Sequence, residues 1–377
     1  MKPISRTWTA VIVVAVVATA AAVFLYLRKG PPTAPGGPLP ELVTLAPRDA
    51  RTIIYADVQA FRSSEFFSRL MALLPAPHQD TDYADFERAT GFDYSRDLDR
   101  VMVAWRSAPT TASPAKPIQE SRTFAIAEGR FDKEKISHFA LAPAPGKSAP
   151  RATVEKQNGV DVYIVQSTDP PPSEAEKNPR ARPSSPRTIA FAFVTENRLV
   201  IAEGSDLSFA LAPEKDNPAP DPASQATFRT QAARVAGAPF FVVGRNDSFA
   251  DNSSRSSEWF FSQIASVIQS VRWYSVAARP EGDRLRVSLL GECDDSWKAR
   301  QLAVLLEGVR LLARTALKDE QTRRRISPEQ LAALEQIVQN ATIEREDNRV
   351  ELRFELTPSM LGPAHPEPPP AQQHKGI

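Results

Sequence analysis

Few stretches of this chain combine residue types that do chemistry, and the first to test is Gly146-Lys147-Ser148, which ends like a phosphate-binding loop. Such a loop cradles phosphates with consecutive backbone N–H groups and opens on a glycine five residues before the second one. That position is Leu141, and Pro143 and Pro145 between them have no N–H to donate. The stretch does not encode a nucleotide site. Ser113-Pro114-Ala115-Lys116 fits the S-x-x-K spacing of serine acyl-transferases, whose serine opens a helix over a pocket; here it lies in a Pro/Thr/Ala loop. The acidic series Asp80, Asp82, Asp85, Glu87, Asp93, Asp97 and Asp99 lacks the tight cluster and fixed glycine of an oxygen-ligand cation loop. Helix faces and turn caps are the expectation for it.

Two longer stretches resemble each other: IAEGRFDKEKISHFALAP at 126–143 and IAEGSDLSFALAP at 201–213. Their shared carboxylates, Glu128 and Glu203, are the conceivable acid–base pair of the chain. No supporting residues accompany them. The reading favoured is a reused strand–turn–helix unit in which Asp132 and Asp206 cap the helices. His78, His138, His365 and His374 are far apart in the sequence, and His138 sits among Ile136, Phe139 and Leu141, so no metal site is expected. Cys293 is the only cysteine, which excludes an internal disulfide, and Glu292, Asp294 and Asp295 beside it disfavour a thiolate. No residue is assigned a catalytic, cofactor-binding or metal-binding role, and no cofactor is expected.

The elements that position these residues begin at the N-terminus. Residues 8–27, WTAVIVVAVVATAAAVFLYL, carry no charge, and at about 1.5 Å rise per residue they match the roughly 30 Å hydrocarbon core of a bilayer. Trp8 and Tyr26 stand where amphipathic rings prefer the interface. A cleaved secretory signal is the alternative, but the apolar run is longer than an ordinary signal core. The expectation is a membrane anchor over 1–29, with the lipid bilayer as partner through residues 8–27. Lys2 and Arg6 before the span balance Arg28 and Lys29 after it, so orientation rests on layout: a short N-terminus and a large downstream body predict a single-pass cell-membrane protein with an extracytoplasmic body. With 46 Lys+Arg against 45 Asp+Glu, the net charge of +1 provides no field for phosphate backbones, so no nucleic-acid partner is expected.

A Pro/Gly linker, 30–40, follows. Proline-rich breakers then recur at 107–117, 142–150, 169–186 and 212–224, and a Pro-rich tail at 361–377 reads as disordered. Between them the periodicity predicts strands at 52–58, 101–105, 123–129 and 240–244. It predicts helices over Ser64–Leu74, Tyr83–Thr90, Lys133–Leu141, Glu258–Val271 and Trp297–Lys318. The capping box at Ser327-Pro328-Glu329-Gln330 starts another. Hairpins are expected to turn at Asn158-Gly159, Glu196-Asn197, Pro280-Glu281-Gly282 and Asp347-Asn348. The fold class is α+β: two mostly antiparallel sheets in tandem, each with helices packed on one face, in subdomains 41–216 and 239–360 joined by a loop at 217–238.

The block LVTLAPRDARTIIYADVQAFRSSEFFSRL, then FERATGFDYSRDLDRVMVAW and AIAEGRFDKEKI, resembles bacterial single-pass membrane-anchored proteins of unknown function that carry P-x-x-A…Y-x-D, TGFD…RDLD and G-x-F-D. The likeness covers about residues 40–140, with a looser one over Trp273–Lys318. That group has no assigned reaction, so the resemblance implies architecture and no site residues. Three function classes stand: noncatalytic binding or scaffolding of an envelope protein partner, which the absence of paired signatures favours; an enzyme with an unrecognised site; and a lipid or small-ligand binding module near the bilayer.

Overall fold

The computed structural model describes residues 38–47, 49–73, 81–108, 120–143, 151–166, 188–203, 207, 211, 222–246, 270–320, 323 and 328–361. The expected anchor lies outside them, as do the Gly146-Lys147-Ser148 and Ser113–Lys116 stretches. Among the described residues no helix is long and apolar enough to cross a membrane.

The chain runs α1 (Glu41–Thr44), β1 (Ala50–Asp57), α2 (Val58–Arg62), α3 (Glu65–Leu73), α4 (Thr81–Thr90), α5 (Tyr94–Asp97), β2 (Leu98–Ala108), β3 (Glu120–Gly129) and α6 (Lys133–Leu141). Two hairpins follow, β4 (Thr153–Gln157) with β5 (Val160–Gln166) and β6 (Thr188–Thr195) with β7 (Arg198–Glu203). Then come α7 (Pro222–Val235), β8 (Phe240–Arg245), β9 (Val271–Glu281), β10 (Arg284–Cys293), α8 (Ser296–Ala316), α9 (Pro328–Asn340), β11 (Thr342–Glu346), β12 (Arg349–Leu356) and α10 (Pro358–Leu361). All strand pairs are antiparallel, as the alternating patterns predict.

The expected pair of tandem sheets is corrected. Among the described residues one 12-stranded sheet runs β11-β12-β10-β9-β8-β1-β2-β3-β7-β6-β5-β4. Its seam is β1 against β8, where Ile53 faces Val243 and Tyr55 faces Phe241. The first strand of the C-terminal half completes the first strand of the N-terminal half, because β1 has β2 on one edge and otherwise an unpaired row of N–H and C=O groups on the other. Helix α3 reinforces the seam: the Phe66 N–H donates to the Gly282 carbonyl at the tip of the β9–β10 hairpin (3.1 Å), and Arg69 pairs with Asp283 (3.1 Å).

Helices cover both faces, which corrects the expectation of one covered face. One face carries Ile53, Met102, Ala104, Phe124, Ile126, Val200, Phe241 and Val243, buried beneath Leu42 and Val43 of α1 and Ala232 and Val235 of α7. The other carries Leu285, Val287, Leu289, Leu352, Phe354 and Leu356, beneath Ala299, Leu302 and Leu306 of α8 and Phe66 of α3. The core therefore changes sides along the sheet. Strands β8 and β9 make the change possible because they are apolar on both sides: Trp273 and Ala277 serve the first core, Val271 and Ala278 the second. A smaller cluster of Ala140, Ala152 and Tyr163 holds α6 against β5 and β6, with Tyr163 stacked on Phe191 at 4.9 Å. In β6 the alanines Ala190 and Ala192 face the large core, while Phe191 and Phe193 face this smaller one.

The turns follow the sequence closely. Asn158 (φ 51°) and Gly159 (φ 82°) form the two-residue turn of β4–β5, and Asp347 (φ 50°) turns β11 into β12. The β9–β10 turn sits one step later than read, at Gly282-Asp283, with Glu281 facing Arg284. Val271 opens β9 rather than ending a helix, Ser270 before it is a turn residue, and 258–269 of the expected helix lie outside the described residues. The helices read at Ser64–Leu74, Tyr83–Thr90 and Lys133–Leu141 are present as α3, α4 and α6, and Gly91 (φ 72°) ends α4 in the left-handed region.

One sheet with its seam at β1–β8 predicts one unfolding transition. Phe241→Ala, at a fully buried ring, is expected to cost about 3–5 kcal/mol. Urea unfolding followed by far-UV circular dichroism and by tryptophan fluorescence should give coincident curves in both proteins; separated transitions would mean that the halves fold apart.

Candidate functional site

The motif residues read from the sequence gather at one end of the sheet, where β1 and β3 finish and β2 and β7 begin. Cross-strand register aligns Asp57 with Arg100, Arg100 with Glu128 and Glu128 with Arg198, a row of alternating charge on the α1-covered face. Glu128 is its hub. Arg198 donates to Glu128 Oε1 from Nε (3.0 Å) and Nη2 (2.6 Å), and Arg100 donates to Oε2 (3.2 Å). Arg198 also reaches Glu41 of α1 at 2.8 Å, so the row fastens α1 over the core. Burial opposes the Arg198 charge, but Glu128 and Glu41 outweigh it and raise its pKa. One row inward, Tyr55 is buried, and burial followed by the nearby Asp57 carboxylate pushes its phenol up to about 12.

The TGFD…RDLD segment meets G-x-F-D at the same end. Asp93 caps α5 by accepting the Ser95 N–H (2.8 Å). Asp97 accepts from Arg96 Nε (3.0 Å) and Nη2 (2.7 Å) and from the Asp93 N–H (3.0 Å), and lies 3.2 Å from Arg130. The Arg96 hydrogen bonds outweigh burial and hold the Asp97 carboxyl down at about 2. Gly129 is required by contact: a Cβ there would run into the Asp97 carbonyl, which accepts the Arg130 N–H at 2.8 Å. Phe92 and Phe131 stack at 5.3 Å across the junction. Arg62 of α2, in the segment that follows Y-x-D, ties in as well, donating to the carbonyls of Ser95 (2.8 Å) and Leu98 (3.2 Å) and pairing with Asp99 (3.5 Å).

Beside this end lies an open cleft of about 610 Å³, lined by Pro38, Pro40, Tyr55, Asp57, Arg100 and Arg279 among others. Two of its polar side chains are engaged within the fold. Asp57 accepts the Ala60 N–H (2.8 Å) as the cap of α2, and Ser64 donates its hydroxyl to the Phe61 carbonyl (2.6 Å). Arg279 is half-buried, which lowers its pKa, and it sits next to Arg286 in the register. A second open cleft, about 760 Å³, lies between α4 and α6; there Arg151 covers the Phe139 ring at 4.1 Å and Arg88 pairs with Asp85 (2.6 Å).

The repeat read at 126 and 201 now has a geometry. Strands β3 and β7 are direct neighbours, but antiparallel, so Glu128 faces Arg198 rather than Glu203. Glu203 lies five residues further along β7, about 17 Å at 3.4 Å per residue, on the opposite face, where it accepts the Thr123 N–H (3.1 Å). The two carboxylates do not form an acid–base pair. The first copy runs strand, turn and helix with Asp132 capping α6 through the Lys135 N–H (3.0 Å). In the second, β7 is present and Leu207 and Leu211 are helical, while 204–206 and 208–210 lie outside the described residues. Of the acidic series, Asp85, Asp93, Asp97 and Asp99 are held in the ion pairs and caps above. His138 is exposed on α6. Cys293 is buried in the second core, and burial pushes its thiol up to about 11. Among the described residues no three of His, Cys, Asp and Glu cluster as metal ligands would.

The sequence reading missed the charged row. Each member stands at a strand end, and only the registers of β1–β2, β2–β3 and β3–β7 bring them into line. It also missed Gln231 and Arg234 of α7, which both donate to Glu292 Oε2 at 2.9 Å; burial pushes that carboxyl up, and these partners with Arg349 outweigh it and lower its pKa.

No protein-family model matches the chain, and no curated protein matches it in sequence. Among solved structures it is similar to crystal form I of TP0453 (TM-score 0.39, 10% identity) and crystal form IV of TP0453 (TM-score 0.41, 10% identity), in each case over 86% of this chain and 96% of that one. Crystal form III of TP0453 gives a TM-score of 0.41 at 9% identity over the same shares. Likenesses at this level carry no argument about this chain's activity.

Glu128→Gln leaves Arg100 and Arg198 facing an uncharged hub and is expected to lower stability by about 2 kcal/mol in urea unfolding at neutral pH. Asp97 gives a pH test. Its folded pKa, about 2, lies below the ordinary 3.8, so its contribution is full above the ordinary value and is lost as pH falls towards 2. The stability gap between the parent and Asp97→Asn, on the order of 2 kcal/mol at neutral pH, should close between about pH 4 and pH 2. A gap independent of pH would show that Asp97 acts only through its shape.

Proposed function

We propose that this chain is a noncatalytic binding protein tethered to the bacterial cell membrane by residues 8–27, with its α+β body on the extracytoplasmic side. The observation that carries the binding reading is the outer face of α8. Trp297, Val304, Leu311 and Leu312 are 62%, 66%, 65% and 57% exposed. Trp297, Val304 and Leu311 repeat every seven residues, which keeps them on one stripe of a helix with 3.6 residues per turn. Ala299, Leu302 and Leu306 occupy the opposite side and are buried against β10 and β12. The helix thus has two apolar stripes, and the sheet uses one. Scattered apolar side chains on a surface need no explanation, but a stripe on the order of a few hundred Å² on one helix marks a docking surface.

The noncatalytic part draws support from the sheet end and the clefts. The carboxylates gathered there accept guanidinium or backbone N–H groups, the tyrosine is held far from a working base, and the cysteine is buried. The carboxylates are committed to holding elements together.

Substituted-cysteine labelling of the full chain in spheroplasts tests both parts, since Cys293 is buried and stays silent. With a membrane-impermeant maleimide, Glu155→Cys on the exposed strand β4 is expected to react at once, while Val304→Cys reacts at least tenfold more slowly until detergent is added. Protection of both positions would place the body inside. Equal reactivity of both would show that the α8 face is free, and would sink the binding reading.

A further inference from the structure

We propose that the occupant of the α8 face is the anionic surface of the bilayer itself, an inference that rests on the tethered reading above. Between Ser296 and Ala316 the helix carries Lys298, Arg300, Arg310 and Arg314 against Glu307 alone, a net charge of +3 from four cations and one anion. Lys298 is paired with Asp294 (2.7 Å) and Arg310 with Glu307 (3.3 Å). Arg300 and Arg314 have no ion pair among the described residues. At about 100° per residue both fall on one flank of the stripe, within roughly 80° of the direction of Val304. An apolar stripe bearing a tryptophan, edged by unpaired guanidinium groups, is the composition that lies in the headgroup layer: the rings and aliphatic chains enter the acyl boundary, and the cations stay with lipid phosphates. Gly308, between Val304 and Leu311, faces open space, so among the described residues nothing packs on the middle of the stripe.

Charge selects among the occupants. A second copy docking through the same face would bring the Arg300 and Arg314 guanidinium groups of one copy against those of the other, and a twofold contact offers no complementary acidic patch on that face. Leaflets containing acidic lipid supply the missing anions over the whole length of the helix. Reach is compatible. The chain enters β1 three strands from β10, about 15 Å along the sheet at the usual strand spacing, and on the face opposite α8, so the tether has also to pass the thickness of the sheet. Residues 28–37 span up to roughly 35 Å when extended. The tether therefore holds α8 at high effective concentration near the headgroups.

The test uses the full chain with Val304→Cys carrying an environment-sensitive fluorophore. It is reconstituted into vesicles of phosphatidylcholine with or without phosphatidylglycerol, and quenching by a nitroxide-labelled lipid reports contact. The expected result is a blue shift and strong quenching only with phosphatidylglycerol. Arg300→Glu/Arg314→Glu should lower the quenched fraction at least tenfold, and added salt should lower it as well. A chain that resists alkaline extraction from the vesicles while the fluorophore stays in water in both lipids overturns the α8 proposal and leaves the tether intact. A blue shift that grows with protein density and shows no lipid quenching assigns the face to a second copy, and a shift that requires an added acidic protein assigns it to a protein partner; either overturns it. Quenching at Val304 in a chain that alkaline washing removes would support the α8 contact and refute the tether.

Discussion

Backbone hydrogen bonding between Thr52–Ala56 and Phe240–Gly244 is the constraint on which the rest of the molecule depends. Without it β1 and β8 would each be an edge, and the chain would be two half-sheets. With it, β1 sits inside a continuous sheet, the apolar strands β8 and β9 are covered on both sides, and the core passes from one face to the other. Phe66 of the first half then belongs to the C-terminal core, and Trp273 and Ala277 of the second half belong to the N-terminal one. Each half lends the other apolar surface, worth roughly 1.5–3 kcal/mol for each large side chain fully buried.

The local elements were legible in the sequence because their signals are local. Asn158-Gly159 demands a two-residue turn, Gly91 ends α4, and Asp132 caps α6; each needs only its neighbours. The single sheet was not legible, because β1 reads as a buried strand whichever partner lies on its second edge. The apolar runs FFVV and WYSVAA read only as strands of a sheet with one wet face, whereas the structure covers them on both sides. In α8 the periodicity showed an amphipathic helix but not which of its apolar stripes faces inward. Leu302 and Leu312 are the same residue type on adjoining apolar flanks; the first is fully buried and the second mostly exposed. The absence of an assigned catalytic residue rested on missing signatures, whereas the structure supplies a positive account of the same side chains.

That account makes charge an architectural material at the sheet end. Asp57, Arg100, Glu128 and Arg198 close the open end of the large core, and Glu41 ties α1 across it. Partly buried pairs of this kind contribute little net stability against apolar replacements, but removing one partner strands the others. They fix geometry: β-strand register, the seat of α1 and the angle of α5 all depend on which guanidinium meets which carboxylate. In the reading proposed, the chemistry left for a partner lies elsewhere, on the outer side of α8.

The central place of β1 also sets a schedule for a chain made from its N-terminus. Its edge towards β2 is covered within about fifty residues, but the edge towards β8 waits until residue 245 has emerged. At roughly 5–20 residues per second that is an interval of about ten to forty seconds, during which Thr52–Ala56 presents bare N–H and C=O groups flanked by Ile53, Ile54 and Tyr55. Such a strand edge pairs readily with another nascent chain. Newly made protein is therefore most vulnerable to aggregation before β8 has emerged, and a fragment ending before β8 would keep that sticky edge permanently.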